Sequence, residues 1–173
     1  MLASEGGRKF VRKDFRKWGW AGRFLLDREA GFYRRLRGIS GIPEFYGSPE
    51  SGVLDIEYIE GNSINENRNL PVEFFVKLRK IISEIHSRGV LYFDLRHKSN
   101  VLVKSGEPVI IDFATCFYVP PLVPLLGWVD FEAVLFLKHS VSPELLSSSE
   151  VMHVKKMNRI CKLWFFNRII KGD

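Results

Sequence analysis

Three polar residues near the middle of the chain have types and a spacing that suit chemistry on phosphate groups. Asp94 follows a periodic segment, Asn100 comes six residues later, and Asp112 ends the next apolar stretch. A carboxylate such as Asp94 can orient an attacking hydroxyl and take its proton. The side-chain oxygens of Asn100 and Asp112 are ligands that Mg²⁺ prefers. The spacing therefore predicts magnesium-assisted phosphoryl transfer to a hydroxyl, with Asp94 as the catalytic residue.

The segments around these residues predict the elements that position them. Residues 71–88 place apolar side chains on one helical face, between a proline near the start and a glycine just past the end. Residues 101–111 contain two short apolar runs on either side of a turn, which predicts a β-hairpin. Such a hairpin would return Asp112 to Asn100, and Asp94 would lie in the loop between helix and hairpin.

The first third of the chain predicts a strand, a helix and a second strand. Residues 8–15 and 53–59 have strand-like composition, and residues 24–36 repeat apolar side chains at helical spacing. Glu29 falls on the apolar face of that helix, where an unpaired carboxylate would be unfavourable. The sequence therefore predicts either a partner for Glu29 or a half-exposed position at the edge of that face.

Length and composition predict one globular domain. The chain has 173 residues, enough for one core, and its apolar share of 46% excludes a disordered protein. Cys116 and Cys161 lack the spacing of a disulfide framework or a zinc site, which favours a reducing cytoplasm. The first residues do not resemble a secretory signal. Residues 108–129 are almost wholly apolar, yet Asp112 and four prolines predict a buried strand and an apolar loop rather than a membrane span.

Six short segments resemble motifs of one known superfamily. They are Val11-Arg12-Lys13-Asp14-Phe15, Arg28-Glu29-Ala30, Leu54–Gly61, His86-x-x-Gly89-x-x-x-x-Asp94-Leu95, Asn100-Val101-Leu102-Val103 and Ile111-Asp112-Phe113. Together they are similar to the protein-kinase-like superfamily, closest to its bacterial lipopolysaccharide-kinase and RIO-like branch. The resemblance covers about residues 10–138. It implies an α+β, minimal two-lobed fold in a single domain, residues 1–173. A small antiparallel-sheet lobe would occupy about residues 1–60, and a truncated helical lobe about residues 61–173.

The same resemblance implies an ATP site between the lobes. Lys13 would hold the α- and β-phosphates, and Glu29 would fix Lys13 through an ion pair. The backbone from Glu57 to Ile59 would bind the edge of the adenine ring.

The resemblance also assigns roles around Asp94. Asn100 and Asp112 would hold Mg²⁺, and Arg96 would stabilise charge that develops on the transferred phosphate. Asp130 would anchor the backbone of the catalytic loop.

Charge leaves the partner open. The chain has a net charge of +6, and residues 8–37 contain eleven Lys or Arg against three acidic residues. Such patches contact nucleic acid, anionic lipid or phosphorylated glycans, and no specific nucleic acid is predicted. Residues 147–150 form a capping box that predicts a basic, aromatic helix over about residues 150–170. That helix would either contact an anionic membrane or close the core, and composition favours neither.

Three functions remain as hypotheses. The first is an ATP-dependent kinase acting on a sugar hydroxyl of a lipopolysaccharide-type glycolipid, in the cytoplasm and peripheral on the inner face of the cytoplasmic membrane. The second is a RIO-like protein kinase with a protein acceptor. The third is a pseudokinase that only binds nucleotide. It rests on the lack of a glycine-rich loop before Lys13 and on the five residues between Asp94 and Asn100, where kinases usually have four.

Overall fold

The computed structural model of the chain describes residues 2–5 and 7–163, of which residues 5 and 158–163 are described by backbone alone. Within these residues the chain forms nine strands and five helices. The strands are β1 (Leu2–Glu5), β2 (Arg8–Asp14), β3 (Phe45–Gly47), β4 (Val53–Glu57), β5 (Asn62–Ser63), β6 (Val90–Leu91), β7 (Val101–Lys104), β8 (Glu107–Ile110) and β9 (Phe117–Tyr118). The helices are α1 (Gly19–Arg35), α2 (Val72–Ser87), α3 (Val123–Leu126), α4 (Trp128–Val141) and α5 (Ser148–Leu163).

The first sheet has the order β1-β2-β4-β3 and is antiparallel throughout. Strands β1 and β2 form a tight hairpin in which Glu5 pairs with Arg8, and Gly7 takes the positive φ of 80° that the turn requires. Helix α1 packs against this sheet through its buried face, which includes Leu26 and Ala30. The sheet and α1 together hold Lys13 and Glu29 opposite each other.

Helix α1 starts earlier than the sequence pattern predicted. It begins at Gly19 rather than at residue 24, because a short 3₁₀ turn over Arg16–Trp18 leads into it. The side chains of Trp20, which lies in the added residues, and of Phe24 lie on the solvent side rather than in the core.

The rest of the chain forms a second group of strands and helices. After Glu57 the chain leaves the first sheet, and β5 pairs with β7 in a small sheet of order β5-β7-β8. The predicted lobe boundary near residue 60 falls in this connection. Helix α2 packs on β8 and α4, and the amide of Ile110 donates to the carbonyl of Gly41, 2.8 Å away. This hydrogen bond joins the first half of the molecule to the second.

A single cluster of buried apolar residues runs through both halves. Phe113 is fully buried, and its ring packs edge-on against Tyr33 of α1 at 4.9 Å and Tyr92 at 5.5 Å. These aromatic contacts lie immediately after Asp112, so the core itself fixes the end of β8.

The apolar segment from residue 108 to residue 129 begins as the predicted buried strand but does not continue as a loop. It includes β9, a 3₁₀ turn, α3 and the start of α4, and several of its side chains are exposed, including Leu125 at 66% and Trp128 at 54%. Among the described residues, no single helix is long and apolar enough to cross a bilayer. One pair of helical segments, Pro120–Leu126 and Trp128–Val141, is long and apolar enough when taken together, but it is bent by 47°.

The predicted capping box at the start of α5 is present. The Ser147 hydroxyl accepts from the Glu150 amide at 3.2 Å, and the Glu150 carboxylate accepts from the Ser147 amide at 2.8 Å. Val154 is buried, so the first half of the helix packs on the core. The basic and aromatic residues of the predicted tail from 158 onward lie outside the described side chains.

Candidate active site

A buried ion pair links β2 to α1. The ammonium of Lys13 lies 2.7 Å from Glu29 Oε1, and the side chain of Glu29 is only 1% exposed. The same ammonium lies 3.7 Å from Asp112 Oδ1. Glu29 Oε1 also accepts from the amide of Phe113 at 3.3 Å. The ion pair expected from the sequence is therefore present, and it faces the residue predicted to bind a metal.

Burial sets the electrostatics of this pair. It raises the pKa of Glu29 because a carboxylate loses its hydration, while Lys13 opposes that shift and the charge of Asp112 adds to it. Lys13 therefore favours the charged form of Glu29 against the effect of burial. The ammonium of Lys13 is partly exposed, so a phosphate group could bind to it.

Asp94 and Asn100 are in direct contact. Asn100 Nδ2 donates to Asp94 Oδ2 at 2.9 Å and to the Asp94 carbonyl at 3.2 Å. A 3₁₀ turn over Lys98–Asn100 accommodates the fifth residue between them, so the longer loop does not separate the two side chains. Asp94 and Asn100 are therefore in contact despite the longer loop between them.

The environment of Asp94 favours proton uptake. Partial burial raises the pKa of its carboxyl, and His97, Asn100 and Thr115 oppose the rise. His97 Nε2 lies 3.6 Å from Asp94 Oδ1. A raised carboxyl pKa suits a group that must accept a proton from a hydroxyl.

Asp112 lies beside Asn100 at the end of the β7–β8 hairpin. The amide of Ile111 donates to the Asn100 carbonyl at 2.9 Å, which holds the start of β7 beside the end of β8. Asp112 has a positive φ of 63°, a conformation that side chains other than glycine adopt rarely and that is often found at functional positions. Its Oδ1 accepts from the Ala114 amide at 3.2 Å.

The oxygens of these two residues fit Mg²⁺ carried by a nucleotide. Asn100 uses its amide nitrogen on Asp94, so its oxygen, 3.5 Å from the Ser99 hydroxyl, is the atom suited to a cation. Among the described residues, no group of three or more His, Cys, Asp or Glu side chains is placed to hold a metal by itself. Mg²⁺ usually takes one or two protein ligands together with phosphate oxygens and water. Asn100 and Asp112 match that requirement.

A buried carboxylate anchors the loop that carries Asp94. Asp130 on α4 is fully buried and accepts from the amides of Tyr92 at 3.0 Å and Phe93 at 2.7 Å. His86 Nε2 lies 2.8 Å from the same carboxylate. Phe93 takes a positive φ of 61° between these contacts and Asp94. The predicted anchoring contact of Asp130 is therefore present.

Solved structures share the overall fold of this chain. Residues covering 98% of the chain superpose on the Rio2 kinase of Chaetomium thermophilum with a TM-score of 0.69 at 14% identity. A second crystal structure, of the Rio2 kinase-ADP/Mg²⁺-phosphoaspartate complex from the same organism, gives 0.68 over the same share, also at 14% identity. The chain has a protein-kinase-like fold.

The likeness extends to the fold alone at this identity. It confirms the α+β, two-lobed kinase-like fold and the RIO-like resemblance expected from the sequence. The chain spans 65% and 66% of the length of these two Rio2 kinase chains. No protein-family model and no curated protein matches it in sequence.

In this kinase-like fold the predicted adenine-binding segment connects the two sheets. The amide of Glu57 donates to the Glu44 carbonyl at 2.8 Å, and its carboxylate lies 3.1 Å from the Lys104 ammonium. Ile59 is buried. A cavity of about 410 Å³ borders both residues, and residues 40–42, α2 and the β7–β8 hairpin supply the rest of its lining. Lys13 does not line this cavity, so the cavity is separate from the proposed phosphate site. Adenine binding by Glu57 and Ile59 stays a prediction.

Arg96 has a neighbour that the sequence did not indicate. Its guanidinium lies 4.1 Å from the centre of the Phe136 ring on α4, a stacking contact that directs it toward the helical lobe. Its predicted role at the transferred phosphate stays a prediction.

Two further residues that the sequence analysis did not select hold the segment after Asp112. Arg28 on α1 donates to the carbonyl of Ala114 at 2.9 Å and to that of Cys116. Tyr92 donates its hydroxyl to the Ile111 carbonyl at 2.5 Å. Arg28 lies in the quoted Arg28-Glu29-Ala30 motif, so a signal existed, whereas nothing in the sequence distinguished Tyr92.

Proposed function

We propose that this chain is an ATP-dependent phosphotransferase that moves the γ-phosphate to a hydroxyl. The observation that supports it most is the convergence of Lys13, Glu29 and Asp112 within one ion-pair network, next to the contact between Asn100 and Asp94. The kinase-like fold adds support at the level of architecture.

Each residue has a role in that reaction. Lys13 binds phosphate oxygens and is held in place by Glu29. Asn100 and Asp112 would hold Mg²⁺, which neutralises charge on the phosphates when bound. Asp94 orients the acceptor hydroxyl and takes its proton, with Asn100 fixing the carboxylate. Arg96 completes the proposed catalytic set, and Glu57 and Ile59 would bind the base.

We favour a glycolipid sugar as the acceptor and a cytoplasmic enzyme peripheral on the inner face of the membrane. The exposed aromatic side chains beside Asp94 support this choice, since Phe93 is 37% and Phe117 is 50% exposed. The likeness to Rio2 kinase supports a protein acceptor as the second candidate. The predicted basic tail, about residues 150–170, would add to membrane contact.

Transfer of labelled phosphate from ATP tests the proposal. With Mg²⁺ and either a lipopolysaccharide-type glycolipid or a general protein substrate, the wild-type chain should transfer the label. Asp94→Asn should lower the rate by roughly 10²–10⁴-fold, since it removes the general base. Glu144→Gln, which changes an exposed carboxylate far from the loop, should leave the rate unchanged.

Two outcomes would count against the proposal. Full activity of Asp94→Asn would exclude the assigned mechanism. ATP binding by the wild type with no transfer to any acceptor would instead support the pseudokinase hypothesis.

A further inference from the structure

One side of helix α1 carries a stripe of aromatic and basic side chains, all exposed except Arg28, which is half-buried. Trp20 is 83% exposed and Phe24 is 62% exposed, although both are large apolar residues. Arg28 and Arg35 follow at intervals of four and seven residues, so all four side chains lie along one side of the helix. This side faces away from the first sheet.

The stripe continues onto the other lobe through arginine–aromatic contacts. Arg28 lies 5.1 Å from the ring centre of Phe117, and Arg35 lies 3.7 Å from that of Tyr118. Phe117 in turn meets the ring of Phe93 at 6.0 Å. Phe93 directly precedes Asp94, so the stripe reaches the edge of the proposed active site. We call the surface formed by Trp20, Phe24, Phe93, Phe117 and Tyr118 the aromatic face.

The chain beside the aromatic face is apolar and uncharged. Residues 113–129 contain no Asp, Glu, Lys or Arg. Leu122 is 41% exposed and Leu125 is 66% exposed within this segment. Soluble surfaces expose single apolar side chains routinely, but a run of them along one chain segment usually marks an interaction site.

The charge of α1 on this side is positive. Its two carboxylates are both occupied elsewhere: Glu29 is buried against Lys13, and Asp27 accepts from the Ser51 hydroxyl at 2.6 Å and the Gly52 amide at 2.9 Å. Among the described contacts, neither carboxylate forms an ion pair with Arg28 or Arg35 of the stripe.

We propose that the aromatic face lies on an anionic lipid bilayer, with its Trp, Phe and Tyr rings at the level of the headgroups. Aromatic rings favour that depth, and arginines favour an anionic leaflet. Residues 113–129 carry no charged side chain, so they offer few partners for the hydrogen bonds and ion pairs of a protein interface. The inference rests on the proposed function, because it places Asp94 beside the headgroups of the bilayer and so explains how a glycolipid hydroxyl would reach it.

Vesicle co-sedimentation of the full chain tests this placement. We expect pelleting with vesicles of 30% phosphatidylglycerol in phosphatidylcholine, weaker pelleting at high salt, and little with phosphatidylcholine alone. The triple variant Trp20→Ser, Phe24→Ser and Tyr118→Ser should bind at least tenfold more weakly. The double variant Val76→Ser and Met152→Ser removes side chains that are 61% and 67% exposed on other surfaces, and it should bind like the wild type.

Further variants separate this inference from its alternatives. Asp94→Asn should pellet like the wild type, so that loss of catalysis and loss of membrane contact are measured independently. Trp164→Ser, Phe165→Ser and Phe166→Ser together test the tail as the sole contact. Quenching of the wild-type tryptophans by brominated lipid, reduced in Trp20→Phe, gives a readout that does not depend on the fold of the triple variant.

Specific results would overturn the placement. One is equal pelleting of the triple variant and the wild type, or loss of binding in the tail variant alone. Another is unchanged quenching in Trp20→Phe. Binding of the wild type to no vesicle, with a self-association that the triple variant loses, would assign the aromatic face to a second copy of this chain instead.

Discussion

Glu29 is a buried carboxylate whose charge depends on the ammonium of Lys13. Its pKa is raised in the folded chain, chiefly by burial, and Lys13 offsets part of that shift. A carboxyl whose pKa is higher folded than unfolded stabilises the fold when it is protonated. That contribution is complete below the ordinary value of 4.5 and is lost as the pH rises through the folded pKa. At neutral pH the burial of the Glu29 carboxylate therefore lowers the stability of the fold.

The first prediction concerns Glu29→Gln. The amide cannot titrate, so the free energy of unfolding of the wild type should fall relative to this variant as the pH rises from about 4 to 7. The KM for ATP should rise by roughly 10–100-fold, because an amide carries no charge and leaves Asp112, 3.7 Å away, as the carboxylate partner of Lys13. Urea unfolding at several pH values and steady-state kinetics measure both effects.

Glu73→Gln is the matched control for this variant. It changes an exposed glutamate on α2 and should follow the wild type at every pH. If the difference between wild type and Glu29→Gln were independent of pH, Glu29 would not titrate with a raised pKa.

At the scale of elements, helix α1 positions the segment after Asp112. It does so through two consecutive charged residues: Glu29 accepts from the amide of Phe113, and Arg28 donates to the carbonyls of Ala114 and Cys116. Hydrogen bonds from a guanidinium are stronger than neutral ones. The helix thus fixes the backbone on the far side of the proposed metal ligand.

The second prediction is that Arg28→Met weakens the response to Mg²⁺. Methionine keeps an apolar stem but removes both hydrogen bonds, so residues 114–116 should gain freedom and Asp112 should be held less well. We expect the Mg²⁺ concentration for half-maximal transfer to rise by about tenfold, and stability to fall by about 1–3 kcal/mol. A Mg²⁺ titration of transfer activity, with thermal unfolding alongside, measures the two effects.

Arg37→Met serves as the control, since Arg37 is exposed just after α1. Arg28→Lys should restore little, because lysine lacks the forked geometry that reaches two carbonyls. A loss of stability with an unchanged Mg²⁺ response would show that Arg28 is structural only.

At the scale of the whole molecule, the core and the proposed site both join the lobes. The ring of Phe113 packs against Tyr33 and Tyr92, and the Lys13–Glu29 pair from the first lobe faces Asp112 of the second. A nucleotide bound between Lys13 and Asp112 would add contacts to both sides. The lobes are therefore expected to unfold together and to respond to nucleotide as one unit.

The third prediction is a single unfolding transition that Mg²⁺–ATP shifts upward. At a ligand concentration 100 times the Kd, stability should rise by about 2.7 kcal/mol, which corresponds to roughly 5–10 °C in Tm for a chain of this size. Lys13→Met should abolish the shift, whereas Lys9→Met, on the same strand but exposed, should retain it. Scanning fluorimetry with and without Mg²⁺–ATP measures it. Two separate transitions, with only one shifted, would contradict a shared core.

Much of the proposed site follows from local sequence. The Asp94, Asn100 and Asp112 spacing, the helix now seen as Val72–Ser87 and the hairpin from Val101 to Ile110 all depend on neighbours in the chain, which periodicity and turn residues reveal. Glu29 could be assigned a partner because a carboxylate on an apolar helix face demands one.

The sequence by itself indicated which residues are candidates for phosphoryl transfer, and it predicted the main elements that carry them. Only the tertiary structure decided how the lobes hold them: Arg28 reaches carbonyls 86 and 88 residues away, and Tyr92 bonds a carbonyl 19 residues away. It also decided that Trp20 and Phe24 face solvent in line with Phe117. The physical reason is that periodicity reports which side of an element is apolar, whereas long-range partners and exposure depend on how the elements pack together.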